Sequence, residues 1–533
     1  MPLPMSPILL DPIAPPKTPS PIPSPHTATR AVWEVGLILI LAFQIWFFSR
    51  AIGRPWTDDA DFNGAVWSQA AHNFLKAGIV STAGVPAPFH FGPMPIPKHL
   101  YYGHHPSLLA LTVTAVFRIF GEHEWAARMV PITCSVASTV LLWFLVRSCA
   151  GPGTATFAAV FFATLPMELR WGQMVNFEPG ALMWMLVGFL GLRYWNLTGK
   201  KRWKAVMLLG LVASMLTAWL GYMLVLLLSI HFWLFDRERR GRLALLLVGI
   251  SIFCGGLFLC QISWVQPHAI PDLATAFSLR LSQTADSRNF TFLDWLLRMQ
   301  NSWNRHFPPP FLGFALLGAA HLFKNRNESK NLRWLGWVCG ALFVMNAFYV
   351  LVFQNASYIH DYASFYFIAP VAILAGLGAQ RVGHWAEKQV GRIGPIVSLG
   401  LVIVVGGIGC IQVQSLNSRP HILDSNQSEP KNLIPELGKL IRAEFPADAE
   451  VLCNIDPYFT PQLWYYSNRK LVTGFTKPAY WLSYFSSSSQ LRGGIVWLGA
   501  PDSEAILALL DVKSRRTVWV QGIPFCIWKP GKE

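Results

Sequence analysis

The sequence predicts a polytopic α-helical membrane protein with about eleven transmembrane helices, further interfacial helices and a small extracytoplasmic α/β domain at the C-terminus. Charged residues make up only 13% of the chain, about half of their usual share in a soluble domain. Twelve apolar runs follow one another between positions 31 and 413, as in a chain whose main solvent is lipid. Beyond position 415, short strand and helix patterns alternate instead, which is typical of an α/β fold.

The N-terminal 30 residues are rich in proline and serine and lack an apolar run that could form a packed element. We therefore expect a disordered cytoplasmic leader over 1–30, not a signal peptide. The first span follows at 31–48. It has no small-residue cleavage site at its end, so it is expected to remain as an anchor. The transmembrane domain is predicted to cover 31–415.

Basic residues indicate which side of the membrane each link faces. The net charge of +15 could suggest nucleic-acid binding, but Lys and Arg concentrate between apolar runs, as in cytoplasmic loops beside an anionic leaflet. The conspicuously basic links are 199–204, 236–242, 324–333 and 380–392. The short links near 217–220 and 354–361 carry neither Lys nor Arg, so we place them outside. Membrane lipids, not nucleic acid, are the expected partners of the positive charge.

Counting back from the basic link at 199–204 leaves no place for a span at 106–120. That segment has only 15 residues, fewer than the roughly 20 that cross a bilayer core, so it is predicted to lie in the outer interface. About eleven spans remain, the first extracytoplasmic loop covers 49–125, and the C-terminal region emerges outside. The loop 265–308 also faces outward by this count, because long loops obey the charge rule less strictly. It contains Arg280, Arg288, Arg298 and Arg305.

The region 416–533 is predicted to form the extracytoplasmic α/β domain. PELGKLIRAEF and SEAILALLD have helical patterns, VLCNI and GIVWLG have those of buried strands, and RTVWVQGIPFCIW reads as a strand or strand pair. Cys453 and Cys526 could pair if this domain faces an oxidising compartment. No spacing motif supports that disulfide, so the pairing stays open.

An acidic cluster directly follows the first span. Asp58, Asp59 and Asp61 lie within four residues, and an amphipathic helical pattern comes after them. Acidic residues at a helix start complement the helix dipole and can cap the helix. They can also act as functional acids at the membrane surface. The two roles can belong to different members of the cluster.

Basic, aromatic and histidine side chains gather before the predicted interfacial helix. They are Lys98, Tyr102, His104 and His105. Two adjacent histidines point in different directions on any regular element, so we expect hydrogen bonds to a phosphate or sugar from this pair and not a metal site. Arg128, at the outer start of the next span, either snorkels to the interface or faces a phosphate.

Two later outward segments carry ionisable residues at helix starts. Glu178 stands directly before Pro179 at the mouth of a span, where an acid either lines a polar cavity or is solvated at the interface. His360 and Asp361 begin another helix. We expect Asp361 to cap that helix and His360 to orient a bound ligand. The sequence contains no Walker A loop, HExxH motif or GxSxG nucleophile motif.

In their order along the chain, these motifs resemble those of the bacterial polyprenyl-phosphate-dependent glycosyltransferases of the GT-C superfamily. They are the acidic cluster of the first loop, HHP, GEHEWAAR, the acid before a proline, and HDY. The most similar groups are the protein O-mannosyltransferases, the aminoarabinose transferases and the rhizobial core glycosyltransferases. The resemblance covers residues 31 to about 415 and is densest at 54–182.

The resemblance implies an enzyme that moves a sugar from a polyprenyl-phosphate carrier to an extracytoplasmic glycan, lipid or protein. It also implies a multi-pass protein of the inner (plasma) membrane, with the active site and the C-terminal domain on the periplasmic side. In the family, the first-loop acid lies close to the reacting centre, and Asp58 or Asp59 matches it as base or acceptor-orienting group of an inverting displacement. Glu178 matches a second acid, which is commonly Asp.

The other candidates receive substrate-binding roles from the same resemblance. A departing phosphate needs cations or hydrogen-bond donors nearby, and Lys98, His104, His105 and Arg128 are the candidates. The remaining members of the expected substrate site are Asp61, Tyr102, His360 and Asp361. Relatives differ in metal dependence, so no metal ligand is predicted, although a divalent metal is possible.

A transporter or flippase for a lipid-linked or small anionic substrate is the alternative from another class. Transporters often contain internal repeats and charges near the membrane midplane. This sequence has no internal repeat, and its outward ionisable residues gather at one predicted membrane face. Both observations favour the enzyme.

Overall fold

The computed structural model describes residues 27–57, 61–285, 288–325, 327–391, 394–416, 432–455, 460–473, 481, 491–500, 502–510 and 514–529. Two predicted catalytic acids, Asp58 and Asp59, lie outside the described residues, as does most of the predicted leader.

The described part of the chain is mainly helical. The helices, in chain order, are α1 (Thr27–Ser49), α2 (Asp61–Ala77), α3 (Leu108–Phe120), α4 (Glu124–Ala150), α5 (Pro152–Thr164), α6 (Pro166–Trp171), α7 (Phe177–Thr198), α8 (Lys201–Thr217), α9 (Trp219–Phe235), α10 (Arg237–Val265), α11 (Ala269–Leu281), α12 (Phe292–His306), α13 (Pro309–Asn325), α14 (Lys330–Val352), α15 (Gln354–Ile359), α16 (Ile368–Val390), α17 (Gly394–Leu416), α18 (Leu433–Glu444), α19 (Thr460–Ser467) and α20 (Ser503–Ala508). Short 3-10 helices cover Lys98–Leu100 and Asp361–Phe367.

Each predicted span corresponds to a helix of the bundle. Within the described residues, six helices are long and apolar enough to cross a membrane: α1, α4, α10, α14, α16 with the 3-10 turn before it, and α17. The other predicted spans correspond to α5, α7, α8, α9 and α13. The segment predicted as a single span at 153–169 is divided at Leu165, because Pro166 lacks the N–H that would continue α5 and starts α6 in its first turn.

Small residues allow several of these helices to approach each other closely. A Cβ on Gly210 of α8 would lie 2.5 Å from the backbone nitrogen of Gly188 in α7. Likewise, a Cβ on Gly318 of α13 would overlap the carbonyl of Leu374 in α16. Close backbone contact of this kind is how helices pack when lipid removes the hydrophobic driving force.

The first outward segment, as predicted for residues 49–125, folds over one end of the bundle. Helix α2 packs against α3 and α4, and most of its polar residues are buried. Asn73 donates to the carbonyls of Ala87 at 2.7 Å and His90 at 2.9 Å. Gln69 also donates to the His90 carbonyl, at 2.9 Å. These bonds hold the loop between α2 and α3 against α2.

The predicted long loop between α10 and α13 contains two helices and a short hairpin. Strands β1 (Thr284–Ala285) and β2 (Arg288–Asn289) pair antiparallel between α11 and α12. Both helices expose apolar side chains, among them Phe277 of α11 and Leu293 of α12. Such a face is typical of helices that lie in a membrane interface.

The C-terminal region forms a five-stranded mixed sheet, in agreement with the predicted α/β fold. Its strands are β3 (Glu450–Cys453), β4 (Lys470–Val472), β5 (Leu491–Trp497), β6 (Arg515–Val520) and β7 (Ile523–Trp528), in the spatial order β4-β3-β5-β7-β6. The first three are parallel to one another, and β6–β7 is an antiparallel hairpin.

Cys453 and Cys526 are free buried thiols in this sheet. They lie on strands that are separated by β5 and belong to different hydrophobic clusters on the two sides of the sheet. A disulfide requires Cβ atoms about 3.5–4.5 Å apart. The pairing left open by the sequence therefore does not form in this fold.

Candidate active site

Asp61 is buried in the first turn of α2 and joins three segments. Its Oδ1 accepts a hydrogen bond from Nη2 of Arg128 at 2.7 Å, and its Oδ2 accepts one from the backbone N–H of Thr57 at 2.9 Å. Nη2 of Arg54 lies 3.5 Å from the same Oδ2. These contacts give Asp61 a structural role between α2, α4 and the segment after α1.

Arg128, at the start of α4, is turned inward and does not snorkel to the interface. Only 2% of the residue is exposed. Besides its ion pair with Asp61, it donates to the carbonyl oxygens of Ile52, at 3.0 Å, and of Arg54. Its guanidinium lies 4.0 Å from the ring centroid of Trp56. The charge of Arg128 is therefore already balanced, and its donors hold the chain after α1 in place.

A small pocket opens beside this ion pair. Its lining residues are Arg54, Trp56, Asp61, Arg128, Gln173, Met174 and Val175. The last three belong to the loop between α6 and α7. That loop, which precedes Glu178, thus faces the segment that leads to α2.

His105 lies in an aromatic stack between the first outward segment and α7. Its ring centroid is 4.4 Å from that of Phe177, at an interplanar angle of 23°. Tyr102 also stacks on His105, at 6.1 Å and 15°. Trp67 of α2 packs edge-on against Phe177 at 4.9 Å. Trp67 also donates from Nε1 to Oδ1 of Asn176 at 3.3 Å, so α2, the loop before α3 and the start of α7 meet at this point.

The histidines in and beside this stack are neutral at physiological pH. Burial, followed by the charge of Arg280, lowers the pKa of His105 to about 3. The same two causes lower the pKa of His360 to about 3. Burial also lowers the pKa of His104. These imidazoles can donate and accept hydrogen bonds but supply no positive charge.

Arg280 of α11 is the cation near Tyr102, His105 and His360, which together with Arg280 form the site cluster. Its charge acts on Tyr102, His105 and His360. Its Nη1 donates to Oδ1 of Asn355 at 3.0 Å. In contrast to Arg128, it forms no ion pair with any carboxylate that the structure describes. Its positive charge is therefore available to an anionic ligand.

Glu178 stands in the first turn of α7, next to Phe177. Three tyrosines lie near its carboxyl group: Tyr349, Tyr362 and Tyr366. Its Oε2 atom is buried and has no hydrogen-bond partner among the described residues. A carboxylate oxygen in that state is costly unless a ligand or water completes it, so Glu178 is suited to contact a substrate.

Asp361 is held by arginines of α12 and is not the predicted helix cap. Its two carboxylate oxygens lie 3.2 Å from Nη2 of Arg298 and of Arg305. The residue that precedes the 3-10 helix is His360, whose side chain makes no capping hydrogen bond. The His360 ring stacks on Tyr362 at 4.9 Å. Asp361 thus fixes the long loop between α10 and α13 against the segment that carries His360.

Tyr362 connects the start of α2, which carries Asp61, with the segment that carries His360. Its hydroxyl accepts from Nδ2 of Asn63 in α2 at 3.4 Å, and its ring packs against Trp171 of α6 at 5.3 Å. Asn63 follows Asp61 by two positions. The acidic end of α2 therefore lies near the stack that contains His360.

Lys98 is exposed in the 3-10 turn before α3 and forms no hydrogen bond or ion pair with the other candidates that the structure describes. Within the described ranges, no group of three or more His, Cys, Asp or Glu residues is arranged to hold a metal ion.

Sequence reasoning missed several residues of the cluster. Arg280 was noted only as a charge in a long outward loop, and Asn63, Trp67, Phe177 and Tyr362 were not singled out. A signal was available for Arg280: it lies in an amphipathic helical pattern among apolar residues, where a charged side chain needs a partner or a ligand. The aromatic residues had no such signal.

The chain matches the family model for dolichyl-phosphate-mannose-protein mannosyltransferases over residues 104–264. This range begins at His104 and includes Arg128, Glu178 and helices α3–α9. No curated protein sequence matches the chain significantly.

Solved structures share the fold at low sequence identity. The structure of ArnT from Cupriavidus metallidurans bound to undecaprenyl phosphate matches with a TM-score of 0.60 and 12% identity, over 94% of this chain and 98% of ArnT. The oligosaccharyltransferase AglB from Archaeoglobus fulgidus, in complex with an inhibitory peptide and a dolichol-phosphate, matches with a TM-score of 0.57 and 10% identity, over 88% of this chain and 70% of AglB. The predicted fold is confirmed. The resemblance to GT-C glycosyltransferases is also confirmed, and with it the prediction that the protein is a glycosyltransferase.

Proposed function

We propose that this glycosyltransferase moves a sugar from a polyprenyl-phosphate carrier to an extracytoplasmic acceptor, which is a glycan, a lipid or a protein. One observation carries the proposal. The first outward segment, the start of α7 and the segment before α16 converge in one cluster of His, Tyr, Glu and Arg side chains. They do so in a fold shared with an ArnT structure that is bound to undecaprenyl phosphate.

The proposed chemistry is an inverting displacement at the anomeric carbon. The acceptor hydroxyl forms a bond to that carbon, while the bond from the carbon to the phosphate oxygen breaks and the polyprenyl phosphate leaves. The acceptor proton passes to a carboxylate acting as general base. We assign this role, or the orientation of the acceptor, to Asp58 or Asp59, the two acids that precede α2.

We assign stabilisation of the departing phosphate to Arg280. An arginine that is not neutralised by a carboxylate favours the negative charge that develops on the leaving oxygen. Arg128 is less suited, because Asp61 lies 2.7 Å from it. His105 and His360 are neutral and would serve as hydrogen-bond donors, together with Tyr102. Lys98 and His104 remain candidates for contacts with the outer part of the substrate.

Glu178 is proposed as the second acid of the site. Its unpartnered Oε2 and the three neighbouring tyrosines form a polar patch at the outer end of α7. A sugar hydroxyl can donate to such an oxygen and so satisfy a buried acceptor. We therefore assign Glu178 to the binding of the transferred sugar or the acceptor.

The architecture accounts for a long apolar carrier. A groove between spans would hold the prenyl chain in the membrane, while its phosphate reaches the outward cluster. We extend the proposal to a multi-pass protein of the inner (plasma) membrane, with the first loop (49–125) and the C-terminal domain (416–533) on the periplasmic side. The mannosyltransferase family match favours the enzyme over a transporter or flippase.

The proposal is tested by mass analysis of membrane lipids from a strain that lacks this protein. A polyprenyl-phosphate-linked sugar should accumulate, and expression of the intact protein should return it to its usual level. A catalytic variant with both Asp58 and Asp59 replaced by Asn should not. A lipid profile that is identical with and without the protein would contradict the proposal.

A further inference from the structure

The C-terminal domain contacts the first outward segment through α19, which contains Trp464, Tyr465 and Tyr466. Helix α19 packs against both α18 and α2. Tyr466 contacts the hydrophobic core of the membrane domain as well as the core of the C-terminal domain. Its side chain therefore lies at the junction between the two.

Tyr466 forms a hydrogen-bonded bridge at this junction. Its hydroxyl donates to Oε1 of Glu124 at 2.6 Å and accepts from the backbone N–H of Trp56 at 2.9 Å. Burial and the adjacent Glu124 raise the pKa of Tyr466 well above its ordinary value. The hydroxyl consequently stays protonated and can donate and accept at the same time.

Trp56 stands two positions before Asp58 in the chain. Its backbone is held by Tyr466, and its ring lies 4.0 Å from the guanidinium of Arg128. On the other side of the acidic pair, Asp61 is held by the same Arg128 at 2.7 Å. Trp56 and Asp61, which stand before and after Asp58 and Asp59 in the chain, are thus both held in place. The attachment of Trp56 to Tyr466 belongs to the C-terminal domain.

Trp464 adds a second contact between the same two regions. Its ring centroid lies 5.1 Å from Phe91 and 6.1 Å from Phe89, both in the loop between α2 and α3. Aromatic pairs at this separation stabilise an interface by about 0.5–1.5 kcal/mol each. The C-terminal domain is therefore seated on the first outward segment by packing as well as by hydrogen bonds.

We propose that Tyr466 is a positioning residue for the proposed sugar transfer and that the C-terminal domain, through it, is part of the active site. Tyr466 sets the backbone at Trp56, in the segment that leads to the acids of the proposed function. The proposal rests on the proposed function, because it concerns the geometry of the same reaction.

The test uses the intact protein with Tyr466→Phe, which keeps the ring and removes only the hydroxyl. Loss of the hydroxyl breaks the bridge and releases the backbone at Trp56. We expect kcat to fall roughly 10-fold to 100-fold while KM for the lipid-linked donor changes by less than about 2-fold. Tyr465→Phe, which removes the neighbouring hydroxyl, is the matched control and should retain wild-type kcat.

Glu124 gives an independent second arm. Glu124→Gln keeps an oxygen that accepts from Tyr466 and should retain most of the activity. Glu124→Leu removes the acceptor and should lower kcat as Tyr466→Phe does. Glu124→Leu and Tyr466→Phe break the same bridge. The variant that combines them should therefore be no slower than the slower of the two single variants. Independent losses that multiply in the double variant would overturn the coupling.

Hydrogen exchange supplies a readout that needs no activity. In the wild type, the Trp56 N–H is bonded to the Tyr466 hydroxyl. Tyr466→Phe should accelerate exchange in the peptide that covers Trp56 and leave the transmembrane helices unchanged. An unchanged exchange rate together with an unchanged kcat would refute the positioning role. A wild-type protein without any sugar transfer would instead refute the proposed function, and the exchange experiment would still decide the bridge.

Discussion

Arg128 and Asp61 form an ion pair of 2.7 Å in which the two side chains are only 3% and 4% exposed. The pair joins the start of α4 to the start of α2 across 67 positions of the chain. Arg128 also donates to two carbonyl groups after α1. Three segments at this end of the bundle therefore depend on one guanidinium.

Replacing Arg128 by Ala should strongly destabilise the protein. The change leaves Asp61 as a buried charge without its main partner, and breaking a buried pair in this way costs about 3–5 kcal/mol. We expect a clear fall in the thermal unfolding midpoint in detergent. Lys439→Ala is the control, since it removes an exposed pair with Glu436 that contributes at most about 1 kcal/mol. Equal midpoints for the two variants would contradict a structural role of Arg128.

Replacing Arg280 by Ala should impair sugar transfer without a comparable loss of stability. Arg280 forms no ion pair among the described residues, so little is lost in the fold beyond its bond to Asn355. A lost contact to the carrier phosphate should lower kcat/KM roughly 10-fold to 100-fold. Arg118→Ala, at the exposed end of α3, is the control and should retain wild-type kcat/KM. Wild-type activity of the Arg280 variant would remove Arg280 from the site.

The outline of the fold could be predicted because lipid imposes a simple pattern. Backbone groups in a bilayer must be satisfied within helices, so apolar length and basic loops predict most of the spans. The break at Leu165 could not be located in the same way. Pro166 is compatible both with a kinked span and with a new helix, and the packing of α5 and α6 selects the second.

The chemistry of the site was less accessible to sequence reasoning. The outward acids and histidines could be identified, because an ionisable residue at a membrane surface requires a reason. Their partners could not. The pairs of Asp61 with Arg128 and of Asp361 with Arg305 join distant positions, and they follow from how helices pack in three dimensions. Those pairs decide whether an arginine is neutralised, like Arg128, or available to a ligand, like Arg280.

His306 should make stability depend on pH. It is 1% exposed, accepts from Nε1 of Trp171 at 3.2 Å and donates from Nδ1 to the Ser302 carbonyl at 2.8 Å. Its pKa is lowered from 6.5 to about 4, mainly by burial; Asp361 and the bond to the Ser302 carbonyl oppose this shift, and Arg170 and Arg305 add to it. Between those two values the unfolded chain binds more protons than the folded one. Stability therefore falls as the pH decreases through this range.

The expected loss from His306 is roughly 1–2 kcal/mol between about pH 6.5 and about pH 5. His306→Gln cannot be protonated, yet its amide can still accept from Trp171 and donate to Ser302. The unfolding midpoint of this variant should depend less on pH than that of the wild type. The same pH dependence in both proteins would show that His306 is not the group concerned.

The predicted orientation can be tested at the two links that define it. A reporter that is active only outside the cytoplasm should be active when fused after His123, between α3 and α4. The same reporter fused after Lys200, in the basic link between α7 and α8, should be inactive, because such links stay in the cytoplasm. The opposite result at His123 would move Arg128 and Glu178 to different faces of the membrane.

The acids at 58 and 59 carry the central prediction. Asp58→Asn with Asp59→Asn keeps the size and polarity of both side chains but removes both carboxylates, so no general base remains at these positions. We expect sugar transfer to fall at least about 100-fold, as general-base catalysis contributes that much or more, while the amount of folded protein in membranes stays at the wild-type level. Asp61→Asn is the matched comparison: it weakens the buried pair with Arg128 and should lower the unfolding midpoint. Full activity of the double variant would exclude both acids as the base. A loss of folded protein in the double variant would instead assign Asp58 and Asp59 a structural role, like that of Asp61.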